Sequence, residues 1–138
     1  MNTLANGVVR APLATDEDMV RLRQLVRADM VTLKFSLTDQ TKMVTAASEL
    51  ARNVLRYGGG GHAELEQITR DGVHGVRATF IDQGPGIADL DLAFTDGYTS
   101  GGGMGLGLSG ARRLADEFDI DTGPGKGTTV TITKWKPF

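Results

Sequence analysis

The sequence predicts an α+β domain in two layers, with helices on one face of a mixed sheet. Three observations lead there. Two long segments repeat apolar residues at helical spacing, several shorter ones alternate or run apolar as strands do, and both kinds are punctuated by glycine clusters. The order read along the chain is β-α-α-β-β-loop-α-β-β.

Gly7 to Arg10 gives a short first strand. Thr15 with Asp18 forms a capping box ahead of a helix from about Asp16 to Leu33, on which Met19, Leu22, Leu25, Val26 and Met30 recur. Ser36 to Asp39 breaks the pattern. A second helix starts near Thr38 or Asp39 and runs to about Tyr57, with Met43, Ala47, Leu50 and Val54 as its apolar stripe, until four glycines at 58–61 end it. His62 to Arg70 alternates as a strand. Asp71-Gly72 marks a tight hairpin, and Val76 to Ile81 is the partner strand. After a glycine-rich region, Leu108, Ala111, Leu114, Ala115 and Phe118 share one helical face, so a third helix spans 108–118. Ile120 to Thr122, a glycine turn at 123–127 and Thr128 to Trp135 complete the sheet.

The chain has 138 residues, enough for one domain with a real core. Its formal net charge is -2, from 15 basic and 17 acidic side chains, so no field of either sign draws in nucleic acid or an acidic membrane. Without cysteine there is neither disulfide nor thiolate metal site. No apolar run at the N-terminus reads as a signal peptide or span, and a cytoplasmic location is expected. The 19 glycines are informative because they cluster, at 58–61, 84–86 and 101–110. Such turns let backbone approach a ligand at close range.

Three places carry possible chemistry. Glu49 and Asn53 are four apart and share one helical face. The carboxamide offers a neutral oxygen to a hard ion such as Mg²⁺, and the acid is then left to take a proton from a hydroxyl nucleophile. From the helix alone, a solvated face beside Arg52 and Arg56 is the simpler reading. Asp82 ends an apolar strand and opens D-x-G-x-G with Gly84 and Gly86. Its carboxylate either accepts from an exocyclic amine such as that of adenine, or caps its own turn. Gly101 to Gly107 precede a helix without the Lys-Ser or Lys-Thr pair of a Walker loop and without a strand leading directly in. No basic residue lies between Arg77 and Arg112. Phosphate charge there must be met by backbone N–H groups, a helix terminus and a metal ion. Thr128 follows Gly127 at the start of the last strand, as a base contact or an ordinary strand residue. Lys126, His62 and His74 read as surface residues, and Trp135 as a packing one.

Glu-x-x-x-Asn on a helix, D-x-G-x-G, G-x-G-x-G before a helix and Gly-Thr on a strand, in that order, resemble the GHKL (Bergerat) ATPase fold. SELARN (48–53), DQGPGI (82–87), DGYTSGGGMGLGL (96–108) and RRLADEF (112–118) are most similar to the RsbT-type switch kinases of the anti-sigma-factor serine/threonine kinase branch. That resemblance covers about Val8 to Trp135 and implies a single ATP-binding kinase domain over 1–138, using ATP and Mg²⁺. It makes Asn53 the Mg²⁺ ligand and Glu49 the general base. It gives the adenine amino group to Asp82, with Gly84, Gly86, Ile87 and Thr128 around the base. A lid spans about Ala88 to Gly102. Gly103, Gly105 and Gly107 wrap the phosphates, within a nucleotide-binding run that includes Gly102, Met104, Leu106 and Leu108.

The expected substrate is a serine or threonine of a STAS-domain protein, with a PP2C-type phosphatase as a switch partner. A direct anti-sigma factor is the alternative. Sigma-binding members carry a basic residue just before the phosphate loop, whereas Thr99, Ser100 and Gly101 are uncharged, which weakens that alternative and implies a slow kinase. A binding module that uses ATP only as a conformational ligand is a third reading. A histidine-kinase catalytic fragment is disfavoured, because the chain shows no phosphoacceptor helix pair.

Overall fold

The computed structural model describes residues 2–3, 7–94 and 107–137. In chain order the elements are β1 (Asn2–Thr3), β2 (Val9–Leu13), α1 (Asp16–Thr32), α2 (Leu37–Arg56), β3 (Gly61–Arg70), β4 (Val73–Asp82), α3 (Leu90–Ala93), α4 (Leu108–Leu114), β5 (Glu117–Thr122) and β6 (Thr128–Trp135). The strands lie in the order β1-β2-β3-β4-β6-β5. The two-layer α+β arrangement is as the sequence predicts. Among the described residues the sheet is not mixed, however: every pairing is antiparallel. Side-chain alternation reports which face a residue takes and is blind to the direction of its neighbour.

Local chemistry sets the helix starts. Thr15 and Asp18 make the reciprocal capping box, with the Asp18 amide donating to Thr15 Oγ1 at 3.2 Å and the Thr15 amide to Asp18 Oδ2 at 3.1 Å. The Ala14 amide donates to the same Oδ2 at 2.8 Å, and Arg21 pairs with Oδ1 at 2.7 Å. These donors, Ala14 first and Arg21 next, pull the Asp18 carboxyl from 3.8 down to about 2. A folded pKa below the unfolded one stabilises the fold above the unfolded value, and that stabilisation is lost as the pH falls toward 2. Asp18→Ala is therefore expected to lose about 1–2 kcal/mol at pH 7. In chemical denaturation its deficit against the unsubstituted protein should shrink between pH 5 and pH 2. A deficit independent of pH would contradict this account. The second helix starts a residue or two earlier than the periodicity suggests, because Ser36 caps it by accepting the Asp39 amide at 3.1 Å.

The core lies between the helices and one face of the sheet. Leu22, Val26 and Met30 of α1 and Met43, Ala47, Leu50 and Val54 of α2 are buried against Leu13, Leu65, Ala78, Phe80 and Ile132. At the tip of the β3–β4 hairpin, Asp71 and Gly72 both have positive φ (54° and 80°), the geometry of a two-residue type I′ turn. Beyond it Gly75 makes room for Trp135: a Cβ there would lie 2.7 Å from the indole ring. The Arg70 guanidinium stacks 4.6 Å from the Trp135 ring centroid, and both reach the Glu117 carboxylate at 2.8 Å.

Two boundaries differ from the sequence reading. The first sizeable strand is Val9–Leu13, not Gly7 to Arg10, since Gly7 sits in a turn at φ 84°. The last helix stops at Leu114, and Glu117 and Phe118 belong to β5. Sheet contacts capture the chain after Ala115. The Asp116 amide donates to the Thr133 carbonyl at 2.9 Å, and the Trp135 amide donates to Asp116 Oδ2 at 2.7 Å. Phe118, which fits the helical period, instead sits edge-on to Phe94 at 5.6 Å. β5 forms one border of the sheet and exposes Glu117, Asp119 and Asp121 at alternate positions.

Candidate active site

A cavity of about 300 Å³ opens between α2 and the ends of β4 and β6. Leu50, Val54, Phe80, Ile87, Leu108 and Val130 supply its apolar wall, while Asn53, Asp82 and Thr128 bring polar groups from three different elements. An apolar slot with a few convergent polar groups suits a flat, partly polar ligand. Among the described residues, no lysine or arginine lines it.

Asp82 closes β4 opposite Thr128 of β6 and is buried. Gly84 N donates to Asp82 Oδ1 at 2.9 Å, so the residue caps its own turn while also lining the cavity. Burial pushes the Asp82 carboxyl above its usual range, and the amides of Gly84 and Thr128 oppose that shift without cancelling it. The surrounding turns leave no room for side chains. A Cβ on Gly58 would strike the Asp82 carboxylate, one on Gly84 would lie 2.7 Å from Gly58 Cα, and one on Gly86 (φ 76°) would overlap the Gly123 carbonyl. Gly58 follows the end of α2, where its sequence context marks only a helix stop. Its tight packing on Asp82 is a long-range contact that no local pattern announces.

Asn53 presents a buried Oδ1 on the helical face that lines the cavity. Glu49, one turn earlier, lies outside the cavity wall. Its Oε1 pairs with Arg52 at 2.9 Å, and its Oε2 faces Gly107, where a Cβ would come within 2.5 Å. Gly107 has φ 67° and immediately precedes α4. Arg52, expected to be solvated, is thus bound to the proposed base. Gly102, Gly103, Met104, Gly105 and Leu106, and the greater part of the expected lid, lie outside the described residues. Lys126, paired with Asp121 at 2.7 Å, and His74, in contact with Thr69, are exposed as expected, whereas His62 is half-buried against Arg10.

Among the described residues, no group of three His, Cys, Asp or Glu forms a metal cage. The donor chemistry still fits Mg²⁺, a hard ion held by few protein oxygens and completed by phosphate and water. Asn53 supplies such a neutral oxygen from within the cavity.

Residues 38–137 match the family of histidine kinase-, DNA gyrase B- and HSP90-like ATPases. The chain belongs to that ATPase family, whose members use ATP. Within it, the chain is 42% identical over 123 residues to the serine/threonine-protein kinase RsbT of Bacillus subtilis, covering 89% of this chain and 92% of that protein. It is 29% identical over 129 residues to an anti-sigma F factor of Bacillus licheniformis, covering 88% and 86%. A crystal structure of RsbU and RsbW domains of a Mycobacterium tuberculosis protein superposes with a TM-score of 0.64 at 23% identity, over 94% of this chain and 33% of that one. The SiaB–SiaC complex structure from Pseudomonas aeruginosa gives a TM-score of 0.53 at 13% identity, over 93% and 88%. These two structures share the fold. Among the described residues, no helix is long and apolar enough to cross a membrane.

Proposed function

We propose that this serine/threonine kinase transfers the γ-phosphoryl group of ATP to a serine or threonine of a STAS-domain protein in the cytoplasm. It acts there as a partner switch, with a PP2C-type phosphatase as its second partner. The convergence of Asn53, Asp82 and Thr128 on one purine-sized cavity carries this reading. Asp82 accepts from the adenine amino group, the apolar wall sandwiches the ring, and Gly86 and Ile87 line the edge of the cavity beside it. Glu49 takes the proton of the acceptor hydroxyl as its oxygen attacks the γ-phosphorus and ADP leaves. Arg52 pairs with that carboxylate, whose other oxygen sits beside Gly107. Asn53 Oδ1 would help hold Mg²⁺, which would supply charge neutralisation for phosphoryl transfer.

Nucleotide binding should therefore depend strongly on Mg²⁺. In calorimetry, ATP affinity is expected to collapse in EDTA, and equal affinity with and without the chelator would refute the role of Asn53. Radiolabel transfer from γ-labelled ATP to a cognate STAS protein tests the activity itself. The relationship to an anti-sigma factor supports one second reading, direct sequestration of a sigma factor. Co-purification of a sigma factor, without label on any STAS protein, would favour it.

A further inference from the structure

Thr122, the last residue of β5, does not line the cavity but touches three groups that shape its rim. Its Oγ1 receives the Ile87 amide at 3.0 Å, donates to the Gly127 carbonyl at 2.9 Å and lies 2.9 Å from Thr128 Oγ1. Nearby, the Gly125 amide donates to the Pro85 carbonyl at 2.7 Å, so the glycine turn after Asp82 and the β5–β6 hairpin are laced together. Gly127 is locked in place as well, at φ 77° with no space for a Cβ beside the Asp82 carbonyl.

The hydrogen count at Thr122 decides a polarity. A threonine hydroxyl has one hydrogen and two acceptor sites. A carbonyl can only accept, so the bond to Gly127 uses the Thr122 hydrogen. The contact with Thr128 must then be bridged by the Thr128 hydrogen. Thr128 lines the cavity, and with its hydrogen turned back toward Thr122 it offers only lone pairs inward. Asp82, paired across the β4–β6 ladder from Thr128, is an acceptor too. The polar rim at this end of the cavity therefore accepts and does not donate.

We propose that Thr122 is a positioning residue for base specificity: by holding the Thr128 hydroxyl as an acceptor, it makes the pocket select a purine with an amino group at position 6 over one with a keto oxygen. This rests on the nucleotide reading above. The test compares ATP with ITP, which differ at that position, by calorimetry on the full chain. Thr122→Val keeps the shape and removes the hydroxyl, freeing the Thr128 hydrogen to meet a keto group. ATP affinity should fall about 3- to 10-fold, as the loss of a neutral hydrogen bond implies, and the ATP/ITP ratio should narrow by at least as much. Thr122→Ser, which restores the hydroxyl, should return the ratio to within about twofold of the unsubstituted protein.

A purely structural role would weaken both nucleotides alike, so an unchanged ratio in Thr122→Val overturns the proposal. If that variant does not fold, Thr122→Ala reads the same ratio. Failure of both to fold beside a folded Thr122→Ser would assign the hydroxyl to stability and also overturn the proposal. An unsubstituted protein that binds neither nucleotide would instead sink the nucleotide reading itself.

Discussion

Glu49→Ala should lower phosphoryl transfer to a STAS protein by about 10²–10⁴-fold, the usual contribution of a general base, while ATP binding survives. The separation follows from where the two functions sit on α2. Asn53 is in the cavity wall, whereas Glu49 is a turn away, outside it, with one oxygen on Arg52 and the other toward Gly107. Removing Glu49 deletes a partly exposed ion pair that contributes at most about 1 kcal/mol to stability, so the variant should fold normally. Radiolabel transfer and calorimetry on one preparation make the measurement. Loss of both activities together, or of neither, would remove Glu49 from the role of base.

Asp82→Asn should lower ATP affinity by about 10- to 100-fold, the range for losing a hydrogen bond to a charged group, with stability at pH 7 within about 1 kcal/mol of the unsubstituted protein. The folded-state carboxyl titrates above its ordinary range because burial outweighs its two amide donors. A raised folded pKa stabilises the fold only below the unfolded value, and that contribution disappears as the pH rises through the folded one. At neutral pH the ionised group is thus a burden on the fold. Acidification through the raised pKa should weaken ATP binding in the unsubstituted protein, in the opposite sense to its effect on this residue's share of stability. A thermal-shift titration with ATP across that range reads both. Binding unaffected by Asp82→Asn would show that the amine is not recognised there.

Much of this site is legible in the chain because its parts are local. The capping pair Thr15 and Asp18, the stripe on α2, and the helical offset between Glu49 and Asn53 need no tertiary knowledge. Asp71-Gly72 likewise announces its own turn through φ preferences. What escapes is what other strands decide. Phe118 satisfies a helical period, yet β6 holds Asp116 through Thr133 and Trp135 and draws the next residues into the sheet. Gly58 matters through Asp82, and Gly75 through Trp135, partners far along the chain. Thr122 carries no motif. Its importance is a matter of hydrogen-bond valence that only three-dimensional neighbours reveal.

The row of carboxylates along β5 has a bearing on how the protein behaves in the tube. A terminal strand with unsatisfied main-chain groups invites docking by a second sheet, and like charges on both molecules deter it. Glu117 keeps its charge to lower pH than an ordinary glutamate, because Trp135 and Arg70 hold it. Near the isoelectric point of about 5.6 the molecule as a whole carries little net charge, so the ionised row along β5, partly offset by Arg70 on Glu117 and Lys126 on Asp121, still helps deter edge-to-edge stacking. Purification and storage should accordingly tolerate the isoelectric region better than an Asp119→Asn, Asp121→Asn double variant does.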